Sequence, residues 1–321
     1  MEDYLVDIRS IFDDFASSRF SEACKEGNLD KVNIIYNEFG SENSNLIYAN
    51  FFEALRNATE NGHLEIIKWL NNKEINHINL LDKACYVSML VEQSIITASQ
   101  KGFSDLIKWM KSVGTDIYRI RGSGYGDLSL TFLGSCAFGE LELAQWIYEQ
   151  SIIEQKEYLC TNTFDKVIQD ACHDGHIELA RWLHSIGADV HVGYEYSLRM
   201  ACSNGHVEIV KWLCELGADI RVLDDDPFIK ACGCNKFLRR VNLSVQKSQD
   251  WYFENYLYLT TMWETNGLAI AKYLYELGAD IHAQSNKAYI EAVINDNKLI
   301  VDWLKSIYPN FKNIVGKSIH K

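Results

Sequence analysis

Apolar residues recur along the chain in short helical stripes, and each stripe is closed by the same stop signal. In residues 176–186 the apolar positions are Ile177, Leu179, Ala180, Leu183 and Ile186, a spacing that places them on one face of a helix. A glycine then takes the left-handed conformation that commonly ends a helix. The stop recurs as Gly114-Thr115-Asp116, Gly187-Ala188-Asp189, Gly217-Ala218-Asp219 and Gly278-Ala279-Asp280. The pattern predicts short amphipathic helices, each followed by a turn and a protruding hairpin or loop.

These stripes belong to an internal repeat whose clearest copy is residues 205–220. With Gly205 as the anchor, the anchors of all copies are Gly27, Gly62, Gly102, Gly139, Gly175, Gly205, Asn235, Asn266 and Asp296. Successive anchors are 29 to 40 residues apart. A period in this range is typical of stacked supersecondary units rather than of one globular core.

Residues that did not define the anchors confirm the register of the alignment. Seven residues after the anchor stand six of the eight tryptophans: Trp69, Trp109, Trp146, Trp182, Trp212 and Trp303. Four residues before the anchor nearly all side chains are small, as in Ala23, Ala58, Ala98, Ala171, Ala201, Ala231 and Ala292. Three residues earlier they are large and apolar, as in Phe20, Leu55, Ile95, Phe132, Ile168, Leu198, Phe228 and Tyr289. One small and one bulky slot in each copy predict two closely stacked helices per unit.

The motif in residues 201–220 resembles the ankyrin repeat. It reads Ala-x-x-x-Gly-His-x-Glu-Ile-Val-Lys-x-Leu and ends in Gly-Ala-Asp-Ile, and the resemblance covers roughly residues 18–308. The Thr-Pro-Leu-His turn of the family is absent, with residues 226–229 as the closest match. The resemblance implies an all-α ankyrin-repeat solenoid of stacked helix–loop–helix units, about nine repeats with degenerate ends. It also implies a concave face of hairpins and first helices that binds other proteins.

The short period and the recurring Lys-Trp-Leu sequence are also similar to those of the ankyrin proteins that giant DNA viruses of amoebae encode. This second resemblance implies a viral protein that acts in the host cytoplasm or in the virion.

The alignment divides the chain into three parts. Residues 1–19 are predicted to form an amino-terminal capping helix, residues 20–308 the solenoid, and residues 309–321 a carboxyl-terminal tail. The region of about 236–262 lacks the Gly-Ala-Asp stop and is either a degenerate repeat or an insertion. The spacing of 31 residues between Asn235 and Asn266 favours a degenerate repeat.

Composition and charge narrow the classes of function. The formal net charge of −13 argues against nucleic acid as a partner, because nucleic-acid binders cluster Lys and Arg, and it favours a basic partner. An acidic amino terminus and the lack of a long apolar run predict no signal peptide and no membrane segment. Five of the nine cysteines occupy one slot beside the small residue. They are interpreted as core-filling residues of a protein in a reducing compartment, the cytoplasm.

No combination of residues predicts an enzyme, a cofactor or a metal site. Cys172 with His176, and Cys202 with His206, have a spacing that a zinc site could use, but the cysteines are expected in the core and the histidines at helix starts. Residues 122–126 are glycine-rich but lack the lysine and hydroxyl residue of a phosphate-binding loop. Histidine and glutamate recur once per repeat next to the anchor, which favours a structural role.

Residues that differ between copies are therefore the candidates for partner binding. Expected to project from the hairpins are Tyr118, Arg119, Arg121, Tyr125, His191, Tyr194, Glu195, Arg221, Asp224, Asp225, Gln284 and Asn286. A second candidate is an aromatic patch of Trp251, Tyr252, Phe253, Tyr256 and Tyr258, residue types that dominate interface hot spots. The alternative to partner binding is an ordinary solvated loop for the first set and burial in a helix for the aromatic patch.

The sequence thus favours a non-catalytic scaffold that binds a protein partner on its concave face. The acidic run at residues 224–226 suggests a basic segment on that partner. We expect a monomer unless the chain is part of an assembly. Two other functions remain open: a structural component of a viral particle or assembly, and an adaptor that brings targets to a ubiquitin ligase.

Overall fold

The computed structural model describes residues 18–39, 53–74, 95–114, 117, 130–153, 161–234 and 249–313; for residues 249–261 the description is of the backbone. The chain divides into two compact units, residues 1–159 and 160–321. The predicted capping helix at residues 1–19 lies almost wholly outside the described residues, as does the end of the tail. Within the described ranges all regular structure is helical, as predicted, and no helix is long and apolar enough to cross a membrane.

The described part of the first unit contains four helix pairs. These are 18–26 (α1) with Leu29–Phe39 (α2), 53–60 (α3) with Leu64–Glu74 (α4), 95–100 (α5) with Ser104–Ser112 (α6), and Leu130–Ala137 (α7) with Leu141–Ile153 (α8).

The second unit also contains four pairs in its described part. The first helices are Thr161–Asp174 (α9), Val192–Asn204 (α11), Val222–Cys232 (α13) and Ala283–Ile294 (α15). The second helices are Ile177–Ser185 (α10), Val207–Glu215 (α12), the carboxyl-terminal part of Gln249–Glu276 (α14) and Lys298–Ile307 (α16). The 3₁₀ helix Pro309–Asn313 follows α16.

The two slots found by alignment form the core. The bulky slot is filled by Ile168, Leu198, Phe228 and Tyr289, each at most 1% exposed, and the small slot by alanines that are fully buried. The neighbouring cysteines Cys24, Cys172, Cys202 and Cys232 are also 0% exposed. The seven described cysteines are free thiols, in agreement with their interpretation as core-filling residues.

The glycine anchor makes the turn between the two helices of a pair and also receives the next pair. Gly175 has φ +94, and a Cβ built on it would lie 2.7 Å from Cε1 of His206 in the next pair. In the first unit a Cβ on Gly27 would lie 2.6 Å from Cε1 of His63. At these positions the next pair can therefore pack as closely as it does only because the anchor has no side chain.

The histidine over the anchor also makes a hydrogen bond between pairs. His206 Nε2 donates to the carbonyl oxygen of His173 (3.0 Å), and His63 Nε2 donates to that of Lys25 (2.9 Å). Both carbonyl groups belong to residues two positions before an anchor. The periodic histidines therefore hold neighbouring pairs together, which is the structural role that their periodicity predicts.

The periodic basic residues lie against the periodic tryptophans. Lys108 Nζ is 5.9 Å from the ring centroid of Trp146, and the Arg181 guanidinium is 5.7 Å from that of Trp212. These are cation–π contacts between the second helices of neighbouring pairs.

Contacts on either side of the region of about 236–262 show which helices form a pair across it. Sγ of Cys234, just after α13, lies 3.9 Å from the carbonyl oxygen of Trp263 in α14. Asn297, at the start of α16, donates to the carbonyl oxygen of Cys234 (3.3 Å). α13 also packs against α15, the first helix of the next pair. Asn235 and Asn266 thus flank residues inserted between the two helices of one pair, and the described residues form eight pairs where nine anchors had been aligned.

Replacing Gly175 with alanine should cost more stability than replacing Gly187. Both residues have a left-handed backbone, with φ +94 and φ +106, but nothing lies within 4 Å of a Cβ on Gly187. Gly187→Ala should cost about 1–2 kcal/mol from backbone strain alone. Gly175→Ala should cost about 1 kcal/mol more because the His206 ring must move and lose its hydrogen bond. Urea denaturation of both variants would measure the difference, and equal costs would contradict this account of stacking.

The cysteines should differ in reactivity. Burial raises the pKa of Cys24 and Cys172 to about 12, that of the half-buried Cys214 to about 11, and that of Cys202 well above its ordinary value. Alkylation of the native protein, mapped by mass spectrometry, should modify Cys214 before the other six described cysteines, and denaturant should remove the difference.

The same pKa shifts imply a loss of stability in alkali. Above pH 9.0, the ordinary pKa of a thiol, unfolded chains ionise their cysteines while the folded chain keeps them protonated. The unfolding free energy should therefore fall as the pH rises above 9.0. Cys202→Ala should lose less stability over this range than the unaltered chain, and an identical pH profile would contradict the assignment.

Candidate functional site

Each Gly-Ala-Asp stop in the second unit leads into a compact turn rather than a protruding hairpin or loop. Three consecutive residues at the start of the following first helix are left-handed: Gly193-Tyr194-Glu195, Leu223-Asp224-Asp225 and Gln284-Ser285-Asn286, with φ between 47° and 70°. Eight of these nine residues have a side chain, for which the left-handed conformation costs roughly 1–2 kcal/mol per residue. Surrounding bonds must offset that strain.

The aspartate of each stop makes the first of these bonds. Its Oδ1 atom accepts a hydrogen bond from the backbone N–H two residues on: Asp189 from His191 (2.9 Å), Asp219 from Arg221 (2.9 Å) and Asp280 from His282 (2.8 Å). This arrangement is an Asx turn. It explains why aspartate recurs after Gly-Ala.

The third left-handed residue bonds to the side chain that precedes the turn. His191 Nδ1 lies 3.0 Å from Glu195 Oε1, Arg221 Nε lies 3.3 Å from Asp225 Oδ2, and His282 Nδ1 lies 2.6 Å from Asn286 Oδ1. The residue types differ between copies, but each pair matches a basic side chain with an oxygen acceptor. Residues that differed in the alignment therefore share one structural role.

The acidic member of the turn also joins neighbouring turns. The backbone N–H of Asp219 donates to Glu195 Oε1 (3.2 Å), and that of Asp280 donates to Asp225 Oδ1 (2.9 Å). At the first of these turns, the N–H of Asp189 donates to Asp165 Oδ1 (2.8 Å) on α9. These three bonds form a carboxylate ladder, in which each carboxylate on a first helix accepts from the Gly-Ala-Asp segment that follows the second helix of the same pair and opens the next turn.

The ladder corrects the expectation that Glu195 and Asp225 project from the surface. Glu195 is 8% exposed and Asp225 is 1% exposed, because each carboxylate is turned inward to an N–H group of the next turn. Asp226 is also buried, and it accepts a hydrogen bond from Arg199 Nε at 2.6 Å. Of the acidic run at residues 224–226, only Asp224 is exposed.

Asp224 and Gln284 connect two neighbouring turns. Asp224 Oδ2 accepts from the backbone N–H of Gln284 (3.1 Å), and the Gln284 side chain donates to the carbonyl oxygens of Leu223 (2.9 Å) and Asp224 (3.1 Å). Gln284 and Asn286 are half-buried as a result. These two candidates contribute mainly to the structure of the turns.

The outer positions of the turns remain exposed. Tyr194 is 74% exposed and Leu223 is 49% exposed, and the same surface carries His191, Arg221, Asp224 and Ser285. We call these six residues the turn strip. Leu223 and Ser285 were not among the sequence candidates, although alignment of their segments with Gly193-Tyr194-Glu195 would have found them.

The other candidates fall in parts of the chain where less is described. Tyr118, Arg119, Arg121 and Tyr125 lie outside the described residues, as does the glycine-rich segment at 122–126. The aromatic patch of Trp251, Tyr252, Phe253, Tyr256 and Tyr258 lies on helix α14, amino-terminal to the part that packs as a second helix. The structure describes the backbone of this patch.

The cysteine and histidine pairs that suggested zinc do not converge. The Cys202 thiol is fully buried, whereas His206 Nε2 is bonded to His173 in the preceding pair. In the described part of the chain no group of three or more His, Cys, Asp and Glu side chains could hold a metal ion.

Comparison with known families supports the repeat. A family model described as ankyrin repeats (3 copies) matches residues 132–224 and, in a second match, residues 167–254. The predicted ankyrin-repeat fold is thereby confirmed, and this class of repeat generally mediates protein–protein interactions. A search of curated proteins gave no match. The resemblance to proteins of giant viruses stays a prediction.

Removing the Asp225 carboxylate should destabilise the second unit. Asp225→Ala leaves the Asp280 N–H without its acceptor and removes the ion pair with Arg221, which should cost about 1–3 kcal/mol. Asp225→Asn keeps an acceptor oxygen and should cost less. Glu208→Ala, on an exposed side chain of α12, is the matched control and should be nearly neutral. Chemical denaturation would rank the three variants, and equal losses for Asp225→Ala and Glu208→Ala would refute the ladder.

Proposed function

We propose that this chain is a non-catalytic module that binds a protein partner on the turn strip and the adjoining first helices. The observation that carries the proposal is the exposure of Tyr194 and Leu223, 74% and 49%, on turns whose third left-handed residues, Glu195 and Asp225, are buried. A strained backbone that is held by many bonds is characteristic of functional sites.

The turn strip has the physical properties of a preformed interface. Tyrosine and arginine are enriched among hot-spot residues because they bury a large contact area while keeping a polar group at its edge. The Asx turns and the carboxylate ladder hold these side chains on ordered backbone before binding. Little conformational entropy is then lost when a partner binds.

The chemistry of the strip favours a partner with an apolar and a basic residue side by side. Leu223 supplies an apolar contact, and the exposed Asp224 carboxylate uses Oδ2 for the Gln284 N–H. A basic group of the partner would pair with the remaining oxygen of Asp224. The net charge of −13 would increase the rate of association with such a partner.

We also propose that the protein acts in a reducing compartment, the cytoplasm. The support is the set of seven free thiols in the described residues, most of them buried in the core. A viral origin and an action in the host cytoplasm rest on the resemblance in sequence alone.

The proposal is tested by identifying the partner and measuring its affinity for matched variants. Cross-linking and affinity purification would supply the partner, and calorimetry with purified proteins would measure binding. Tyr194→Ala and Leu223→Ala should each weaken binding at least about tenfold, the range of an interface hot spot.

Glu208→Ala and Lys211→Ala provide the control on the second helix α12, where both side chains are exposed. Both should bind as the unaltered chain does. If these variants lose affinity while the turn-strip variants keep it, the partner binds the second helices and the proposed interface is wrong.

A further inference from the structure

The outer side of the last helix pair, α15 and α16, has apolar residues that are less covered than their equivalents in earlier pairs. Val293 and Val301 are half-buried. The residues in the same two slots of the preceding pair, Cys232 and Ala271, are 0% exposed, as are Cys202 and Val210 one pair earlier. In those pairs the following pair covers both slots.

We call this outer side of α15 and α16 the end face. Large exposed side chains at the turn between the two helices extend it. Ile294 is 71% exposed and Leu299 is 40% exposed. Leu299 occupies the slot in which earlier pairs have the exposed Glu178 and Glu208. A terminal repeat that faces solvent requires a polar outer face, and this one is apolar.

The 3₁₀ helix after α16 covers one part of the end face. Phe311 stacks on Tyr289 with ring centroids 4.8 Å apart and is itself fully buried. Beyond Tyr289 a groove of about 560 Å³ remains, with Val293 and Val301 in its lining.

The anchor of the last pair argues against a further repeat stacked in the same register. Asp296 keeps the left-handed backbone, with φ 53, but has a side chain where six of the earlier anchors, up to Gly205, are glycine. At Gly27, Gly62, Gly102 and Gly175, the residue that follows the anchor of the next pair occupies the space that a side chain on the glycine would need. Head-to-tail continuation of the stack would therefore place this residue against Asp296.

The charges around the groove match a second copy of the same face. Its lining contains two carboxylates, Asp296 and Asp302, and two ammonium groups, Lys298 and Lys305. A two-fold axis brings a surface against itself, so Lys305 can face Asp302 of the other copy, whereas Lys298 lies 3.9 Å from Asp296 of its own chain. This balance contrasts with the net charge of −13, which by itself opposes association.

We propose that the end face of α15 and α16 binds the same face of a second copy of this chain about a two-fold axis. The sequence favours a monomer outside an assembly, and the end face provides a specific route to a dimer. The turn strip is a separate set of residues, so this proposal stands or fails independently of the proposed function.

Sedimentation equilibrium of the full chain over a wide range of concentration tests the proposal. The average mass should rise from that of one chain to that of two and no further, because a two-fold contact closes on itself. A single-chain mass at every concentration would overturn the proposal. So would continued growth beyond the dimer, which indicates head-to-tail contact.

Exchanging charges on α16 tests whether the dimer forms through the end face. Lys305→Glu should raise the dimer dissociation constant about tenfold or more, because the change places like charges together at two symmetric positions. Lys305→Glu combined with Asp302→Lys restores opposite charges and should return the constant to near its original value. These side chains lie at the rim, so both variants should fold, which circular dichroism would verify.

Two further variants complete the test. Val301→Asp should abolish the dimer by placing a carboxylate in the apolar groove, whereas Tyr194→Ala on the turn strip should leave it unchanged. If the charge exchange fails to restore association, or if Tyr194→Ala disrupts it, the dimer uses another surface and the proposal is wrong.

Discussion

Stacking at four anchors, Gly27, Gly62, Gly102 and Gly175, depends on a backbone position that is left-handed and lacks a side chain. Gly175 satisfies both conditions, which allows the His206 ring to lie directly over it and to bond to the carbonyl oxygen of His173. The residue above the anchor is less restricted, since Phe103 and Glu140 occupy the same place over Gly62 and Gly102. Glycine is thus the stricter requirement, because neither its conformation nor the close approach tolerates a Cβ atom. The fully buried alanine slot that precedes the anchor follows from the same close approach.

A second set of bonds holds the opposite ends of the helices. Carboxylates from one turn accept backbone N–H groups of the next turn, and the stop aspartates close each turn on itself. Burying Asp225 would be unfavourable for an isolated charge, but Arg221 and the Asp280 N–H lie within 3.3 Å of it. These bonds offset the strain of three left-handed residues in each turn. They also order the backbone under Tyr194 and Leu223, so stability and the presentation of the turn strip have one cause.

The insertion before α14 shows how local the stacking rules are. Cys234, Trp263 and Asn297 close the pair around the inserted residues, and the ladder continues from Asp225 to Asp280 across 55 residues of sequence. Each pair needs only the surfaces of its neighbours, as is general in repeat proteins. Additional chain can therefore enter between two helices without disturbing the pairs on either side.

The sequence by itself determined the all-helical repeat, the anchors, the bulky and small slots and the core role of the cysteines. These features depend on residue size and on backbone conformation, which recur in each copy and so appear as a pattern. Only the tertiary structure decided that Glu195 and Asp225 are buried, since a carboxylate in a polar segment looks solvated until the N–H group of the next turn is placed against it. The spacing of 31 residues at Asn235 was misleading for a related reason: spacing counts residues, whereas membership of a pair depends on contacts. The exposed Leu223 and the uncovered Val301 were likewise visible only once neighbouring pairs were in place, because exposure is a property of the packed chain.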